Sequence, residues 1–264
     1  MSLLRSRDNP RVRRWRALAR DIRLRRRERR ALLEGVHLLA AYLDSGARPV
    51  ALLISESGER DAETAALVRR AQLDPVRLSD SAFRWMADAQ APTGLAAEIP
   101  LPDDAAAAMR DATHAVFLDG IQDAGNVGAI LRSAAAFGVD TAVLGPGCAD
   151  PWSPKVLRAA MGGHFALRVA EAPDLPAALG EFRGRLACAV ARGGAAPASL
   201  DLSGPLGWIL GAEGQGVSPA AAALAALQVT IPLARGTESL NVAAAAAVLL
   251  YERARQLSTR GARS

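Results

Sequence analysis

Five short apolar runs in the second half of the chain constrain its fold more than any other feature. They lie at residues 115–118, 141–144, 186–190, 208–210 and 229–231, separated by segments that are glycine-rich or have helical spacing. Strands that are apolar along their whole length are typical of a parallel sheet covered by helices on both faces. The pattern predicts an α/β domain over residues 113–264, whose ligands should bind in the loops after these runs.

Composition narrows the class of protein further. Half of the 264 residues are hydrophobic, which is enough to bury a core. No segment approaches the roughly 20 uninterrupted apolar residues of a membrane-spanning helix, so we expect a soluble, cytoplasmic protein. Cys148 and Cys188 are expected to be reduced core thiols, with a lone disulfide as the alternative. The histidines are scattered and lie beside no cysteine or carboxylate cluster, so we predict no metal.

The first 30 residues carry thirteen arginines and three acidic residues, a charge of +10 that leaves −5 for the rest of the chain. Val12, Trp15, Ala19 and Ile22 recur at helical spacing, so one helix should bury that stripe and present its arginines to solvent. Such a surface suits RNA phosphates. The alternative interpretation of the same segment is an arginine-rich solvated helix or a flexible basic arm. The arginines predicted to contact RNA are Arg11, Arg13, Arg14, Arg16 and Arg20.

The segment after the basic helix indicates a small αβ domain that ends near residue 98. Helical spacing in Leu32, Val36, Leu39 and Leu43 gives way to a strand-like run at residues 50–54 and then to further helix. Prolines and clustered acidic residues predict a linker over residues 99–112. We therefore divide the chain into an N-terminal domain (1–98), this linker, and the α/β domain (113–264).

Three loops after the apolar runs contain unusual polar residues. The first, residues 118–133, contains Asn126 and Arg132, which could equally be a helix cap and a surface arginine. The second, residues 211–216, has three glycines that would let a ligand lie against bare backbone, and its Glu213 could be an ordinary turn carboxylate. In the third, residues 231–242, Ser239 could be the N-cap of the final helix, with Asn241 in its first turn.

Taken in order and spacing, these loops closely resemble the three motifs of the SpoU, or TrmH-like, branch of the SPOUT family of RNA methyltransferases. The resemblance is dense over residues 115–257, and it is looser over residues 8–97, which resemble the ribosomal-protein-like substrate-binding domain of many members. It implies a C-terminal domain with a deep trefoil knot, a homodimer, and S-adenosylmethionine as the cofactor. The residues matching the family's cofactor contacts are Gly211, Ile231, Leu240, Gly216, Leu210 and Leu233.

The same resemblance implies transfer of a methyl group to a ribose 2′-hydroxyl of RNA, with ribosomal RNA favoured over transfer RNA. The matching catalytic residues are Asn126, Arg132, Glu213, Ser239 and Asn241. A guanidinium is effectively always charged in a protein, so we do not expect Arg132 to accept a proton. Instead, Arg132 should bind the phosphate next to the reacting ribose and stabilise the developing alkoxide, and Glu213 should orient Arg132. The alternatives are a non-catalytic RNA-binding or ribosome-assembly protein, and methylation of a base or a protein.

Overall fold

The computed structural model describes residues 3–102 and 111–261, so positions 103–110 of the predicted linker lie outside the described residues. These residues group into two compact units. The first contains residues 3–102 and 152–165, and the second contains residues 111–151 and 166–261. The strands, in chain order, are β1 (Arg30–Glu34), β2 (Ala51–Ser55), β3 (Val76–Leu78), β4 (Leu95–Pro100), β5 (His114–Asp119), β6 (Thr141–Leu144), β7 (Arg168–Glu171), β8 (Arg185–Ala189), β9 (Leu206–Gly211) and β10 (Leu227–Val229). The α-helices of the described residues are α1 (Pro10–Arg20), α2 (Ile22–Glu28), α3 (Val36–Asp44), α4 (Ala62–Ala71), α5 (Asp80–Met86), α6 (Ala124–Ala136), α7 (Pro154–Ala160), α8 (Leu175–Glu181), α9 (Pro219–Ala222) and α10 (Val242–Gly261).

The first unit contains a four-stranded sheet with the order β1-β4-β2-β3. β4 is antiparallel to both β1 and β2, whereas β2 and β3 are parallel. Leu32, predicted in a helix, lies in β1 and pairs with Glu98, and the helix begins only at Val36. β4 continues to Pro100, into the segment predicted as linker. The αβ character of the first unit is confirmed, and the strand predicted at residues 50–54 is β2 (Ala51–Ser55), whereas β1, β3 and β4 were not predicted.

The predicted basic helix is two helices, because Asp21 ends α1 and begins α2. The Asp21 carboxylate accepts a hydrogen bond from the backbone N–H of Arg23 at 2.8 Å, which is an N-cap. Before this break, α1 buries Val12, Trp15, Leu18 and Ala19, much as its spacing predicts.

Arg14 and Arg16 are held by other residues of the first unit, so the expectation that both are presented freely to solvent is wrong. The Nη1 and Nη2 atoms of Arg14 donate to the two oxygens of Glu98, each at 2.8 Å, and its Nε donates to Glu28 at 2.7 Å. Arg16 stacks on Trp85 with its guanidinium carbon 4.1 Å from the ring centroid, and donates to the Trp85 carbonyl. The physical reason is that a buried carboxylate and an aromatic face lie beside this helix.

The second unit contains a six-stranded sheet with the order β10-β8-β9-β5-β6-β7, and every pairing in it is parallel. The parallel sheet is therefore confirmed, and each of the five apolar runs contributes to a strand. β7 was not predicted, because it is an edge strand of mixed exposure rather than an apolar run. The trefoil knot stays a prediction.

Candidate active site

The carboxyl ends of two neighbouring central strands place the first two loops side by side. β5 and β9 pair in parallel, with Leu118 opposite Leu210 and Asp119 opposite Gly211. The loop that leads into α6 follows β5, and the glycine-rich loop follows β9. Parallel pairing therefore brings these two motifs together at one edge of the sheet, where ligands of such folds bind.

Asn126, Glu213 and Asn241, one from each of the three loops, form a closed set of hydrogen bonds. Asn241 Nδ2 donates to Glu213 Oε1 at 2.6 Å and to Asn126 Oδ1 at 2.9 Å. Asn126 Nδ2 donates to Glu213 Oε1 at 3.2 Å. We call these three residues the amide–carboxylate cluster. It joins residues that are up to 115 positions apart in the chain.

Helix capping explains how two members of the cluster are positioned. The cap of α6 is Asp123, whose Oδ1 accepts from the Asn126 N–H at 2.8 Å, so the Asn126 side chain is available to the cluster. Asn241 caps α10, since its Oδ1 accepts from the N–H groups of Ala243 and Ala244 at 2.9 and 3.3 Å. The structural interpretations of Asn126 as a cap and of Ser239 as the cap of the final helix are therefore wrong.

Arg132 lies apart from the cluster on α6. It is exposed and, within the described part of the chain, no hydrogen bond or ion pair to its side chain is found. Arg132 lies six positions after Asn126, which is a rotation of about 240° around the helix axis. The expected contact in which Glu213 orients Arg132 is consequently not formed within this chain, because Glu213 binds the two asparagines instead.

A cavity of about 730 Å³ lies beside the cluster. Backbone of the glycine-rich loop forms one wall, and apolar side chains from the strands and from α10 form much of the rest. Its lining includes all six residues predicted to hold the cofactor: Leu210, Gly211, Gly216, Ile231, Leu233 and Leu240. Glu213, Ser239 and Asn241 line it too. We call this space the cofactor cavity.

Gly211 is required by the shape of the glycine-rich loop itself. A Cβ atom at this position would lie 2.1 Å from the carbonyl carbon of Gly216 and 2.2 Å from the nitrogen of Val217. The loop folds back because the Gly216 N–H donates to the Ala212 carbonyl at 2.9 Å, with Gly214 at a φ of +87° between them. Any side chain at Gly211 would therefore force open a wall of the cofactor cavity.

A second cavity, of about 550 Å³, lies against the same loop. Asp119, Gln122 and Asp123 line it together with Asn126, and it shares Ala212, Glu213, Gln215 and Gly216 with the cofactor cavity. Asp119 fixes part of its wall by accepting a hydrogen bond from the Ser218 N–H at 2.7 Å. Asp119, Gln122 and Gln215 were not among the residues predicted to lie in the site. Their position as polar residues soon after a buried strand is the signal that could have indicated them.

Three further observations concern RNA contacts, metal ions and membranes. In the first unit, Arg11, Arg13 and Arg20 are exposed on α1. Across residues 3–102 and 111–261, no group of three or more histidine, cysteine or acidic side chains is arranged to hold a metal ion. None of the helices in those ranges is both long enough and apolar enough to cross a membrane.

Comparison with known proteins assigns both parts of the chain. Residues 113–251 match the model of the SpoU rRNA Methylase family, and residues 9–97 match that of the MRM3-like substrate binding domain. The chain is 31% identical to the 23S rRNA (guanosine(2553)-2′-O)-methyltransferase RlmP of Bacillus subtilis (strain 168), over 95% of this chain and 98% of that protein.

Solved structures agree with this assignment. The SpoU methyltransferase AviRb from Streptomyces viridochromogenes, in complex with the cofactor AdoMet, superposes with a TM-score of 0.86 at 26% identity, over 94% of this chain and 98% of that one. An RNA 2′-O ribose methyltransferase superposes with a TM-score of 0.81 at 28% identity, over 97% of this chain and 99% of that one.

Proposed function

Since the chain belongs to the SpoU rRNA Methylase family and is an S-adenosylmethionine-dependent RNA ribose 2′-O-methyltransferase, we propose that its substrate is ribosomal RNA and that the amide–carboxylate cluster organises the reaction. The observation that carries the assignment of roles is the hydrogen bonding of Asn126, Glu213 and Asn241 at the edge of the cofactor cavity. The named substrate of the Bacillus subtilis relative supports the choice of RNA.

The cofactor cavity fits S-adenosylmethionine in size and in chemistry. Its volume lies within the usual range for small-molecule sites, and its apolar walls suit an adenine ring and a methionine chain. When bound, the cofactor supplies a methyl group on a sulfonium, which is already electrophilic. In our proposal Gly211 and Gly216 present bare backbone to it, while Leu210, Ile231, Leu233 and Leu240 exclude water.

The cluster would hold the ribose for an in-line transfer. Glu213 Oε1 accepts from both asparagines, whereas no partner for its Oε2 is found in the described chain. We assign Glu213 Oε2 to accept a hydrogen bond from the 2′-hydroxyl, which would orient the attacking oxygen. Asn126, Asn241 and Ser239 would hydrogen-bond around the sugar, and the hydroxyl proton would pass to Glu213 Oε2 and from there to water as the oxygen gains the methyl group.

The free guanidinium of Arg132 has a different role in this proposal. It would bind the phosphate next to the reacting ribose, because a permanently charged fork suits phosphate oxygens. Its exposure and its lack of a bond within the described residues leave it available for that contact.

RNA affinity would come chiefly from the N-terminal domain, residues 1–98. Arg11, Arg13 and Arg20 are exposed on α1 and suit phosphate contacts without sequence choice. Arg14 and Arg16 already bind Glu98 and Trp85, so their contribution to RNA contacts would be smaller. Action on ribosomal RNA would place the protein in the cytoplasm.

We also propose a homodimer that uses α10. Val248 and Tyr251 lie three residues apart on this helix and are 41% and 55% exposed, and the Tyr251 ring lies 5.9 Å from that of Phe137. Exposed apolar side chains grouped in this way are typical of a surface that packs against another molecule. A second copy of the chain would cover them. Sedimentation should give twice the monomer mass, and a monomer at micromolar concentration would contradict the dimer.

The choice of RNA is tested by competition. Purified protein with S-adenosylmethionine is offered unmodified ribosomal RNA and unmodified transfer RNA transcripts in equal amounts. We expect methyl groups to accumulate in ribosomal RNA alone. Preferential methylation of transfer RNA would contradict the substrate, and cofactor binding without transfer to either RNA would favour a non-catalytic RNA-binding protein.

A further inference from the structure

The second cavity shares a wall with the cofactor cavity but differs from it in chemistry. The shared wall is the glycine-rich loop, including Glu213 and Gln215. Asn126 lines only the second cavity, and Ser239 and Asn241 line only the cofactor cavity. The amide–carboxylate cluster therefore lies at the boundary between the two spaces, so a molecule in the second cavity would face the cofactor across it.

The charges of the second cavity indicate which part of an RNA could enter. Its lining contains three carboxylates, Asp119, Asp123 and Glu213, and no lysine or arginine. Such a wall repels phosphate. The carboxylates are not arranged to hold a cation, since no metal-binding group of three is found in the described residues. An uncharged polar group, such as a nucleoside unit swung away from its phosphates, fits these walls.

Two amide side chains give this cavity the means to read a base. Gln122 and Gln215 line it, and each carries both donors and an acceptor. Val217 and Pro219 supply apolar surface for one face of a base. Base edges are commonly recognised by such combinations in single-stranded RNA, whose bases can be splayed out from the stack.

We propose that the second cavity holds the target nucleoside and that Gln122 and Gln215 hydrogen-bond its base, which makes them specificity-determining residues. This inference rests on the proposed function, because it requires a ribose to be the methyl acceptor. It also explains the position of Asn126: the 2′-hydroxyl approaches from the second cavity, while the methyl group approaches from the cofactor cavity.

Gln122 provides the sharper test, because it lines the second cavity only, whereas Gln215 lines both. Gln122→Ala removes an exposed side chain, so the fold should be retained. Gln90→Ala, an exposed glutamine of the first unit, is the matched control. For each protein the binding constant of S-adenosylmethionine is measured by calorimetry, and kcat/KM is measured on the RNA substrate and on versions with the target base replaced.

We expect Gln122→Ala to lower kcat/KM about tenfold, the effect of one lost hydrogen bond, with cofactor affinity unchanged. Discrimination between the original and replaced bases should shrink in this variant, which a merely structural role would not cause. Gln90→Ala should behave as the wild type. Wild-type activity and wild-type base discrimination in Gln122→Ala would overturn the role of the second cavity but not the proposed function. If the wild-type protein methylates no RNA, both the proposed function and this inference are overturned.

Discussion

Asn241 Nδ2 donates to Glu213 Oε1 at 2.6 Å, which joins the start of the last helix to the loop that follows β9. The same Asn241 side chain caps α10 through its Oδ1. One residue thus uses its oxygen for the backbone of its own helix and its nitrogen for the active site. Folding of α10 and assembly of the cluster are therefore coupled, and the cofactor cavity lies directly beside both.

Asn126→Ala should separate transfer from cofactor binding. Asn126 contributes two of the three hydrogen bonds of the cluster but does not line the cofactor cavity. We expect kcat to fall by about 10²-fold, the usual cost of one lost polar group that stabilises a transition state. The dissociation constant of S-adenosylmethionine should stay within about twofold of the wild-type value, because the substitution leaves the lining of the cofactor cavity unchanged. Single-turnover kinetics and calorimetry measure the two quantities, and equal losses in both would refute this division.

Gly211→Ala should abolish cofactor binding. The new methyl group would occupy space within 2.1 Å of the Gly216 backbone, so the loop must open and one wall of the cofactor cavity is lost. Gly180→Ala is the matched control, because that glycine lies in α8 with nothing within 4 Å of the added carbon. The control should bind normally and gain up to about 1 kcal/mol of stability from helix propensity. Normal cofactor affinity in Gly211→Ala would show that the loop does not form the site.

Replacing Arg11, Arg13 and Arg20 together by alanine should weaken RNA binding and flatten its salt dependence. Loss of three phosphate contacts should reduce the slope of log K against log salt by about 2. A charge-matched control replaces Arg60, Arg69 and Arg183, which are exposed elsewhere. Identical salt slopes for the two triple variants would show that α1 does not contact RNA.

Arg14→Ala tests whether this arginine of α1 stabilises the fold instead of binding RNA. Removing Arg14 leaves the buried Glu98 carboxylate without its bidentate partner. We expect a loss of about 2 kcal/mol in the free energy of unfolding, which is less than for a fully buried pair because Arg14 is 37% exposed. Denaturant unfolding measures this change, and unaltered stability would show that the pair is not structural.

Features that depend on a local sequence pattern could be predicted, whereas contacts between residues far apart in the chain could not. The apolar runs of β5 and β9 and the glycines between residues 211 and 216 are local signals, and they predicted that ligands bind in these loops, whereas the six cofactor residues came from the resemblance to the SpoU family. The Arg14–Glu98 pair joins residues 84 positions apart, so no local pattern could indicate it. β3 and β7 are short edge strands whose side chains are partly exposed, and they lack the apolar pattern that marked the central strands.

The stability of the second unit should depend on pH through His114. Burial, and then the positive charge of Arg253, lower the pKa of His114 to about 4. The folded state therefore binds fewer protons than the unfolded state, in which the pKa is about 6.5. The neutral imidazole of His114 makes its full contribution to the free energy of unfolding above pH 6.5. That contribution falls by about 3 kcal/mol as the pH drops to 4, and then levels off.

Unfolding free energies of His114→Gln and of the control His37→Gln, an exposed histidine, measure this contribution. Between pH 6.5 and 4, the His114→Gln protein should lose less stability than the wild type, and the control should follow the wild type. Parallel curves for all three proteins would contradict a buried neutral imidazole.

Radiolabelled methyl transfer shows whether this protein methylates a ribose of RNA. RNA from cells that lack this gene is incubated with the protein and methyl-labelled S-adenosylmethionine and then digested to nucleosides, with Arg132→Ala protein as the control. We expect the label to appear in a 2′-O-methylnucleoside, and we expect the Arg132→Ala protein to bind the cofactor but to transfer no label. Label on a base, or binding of RNA and cofactor with no transfer by the wild-type protein, would contradict this expectation.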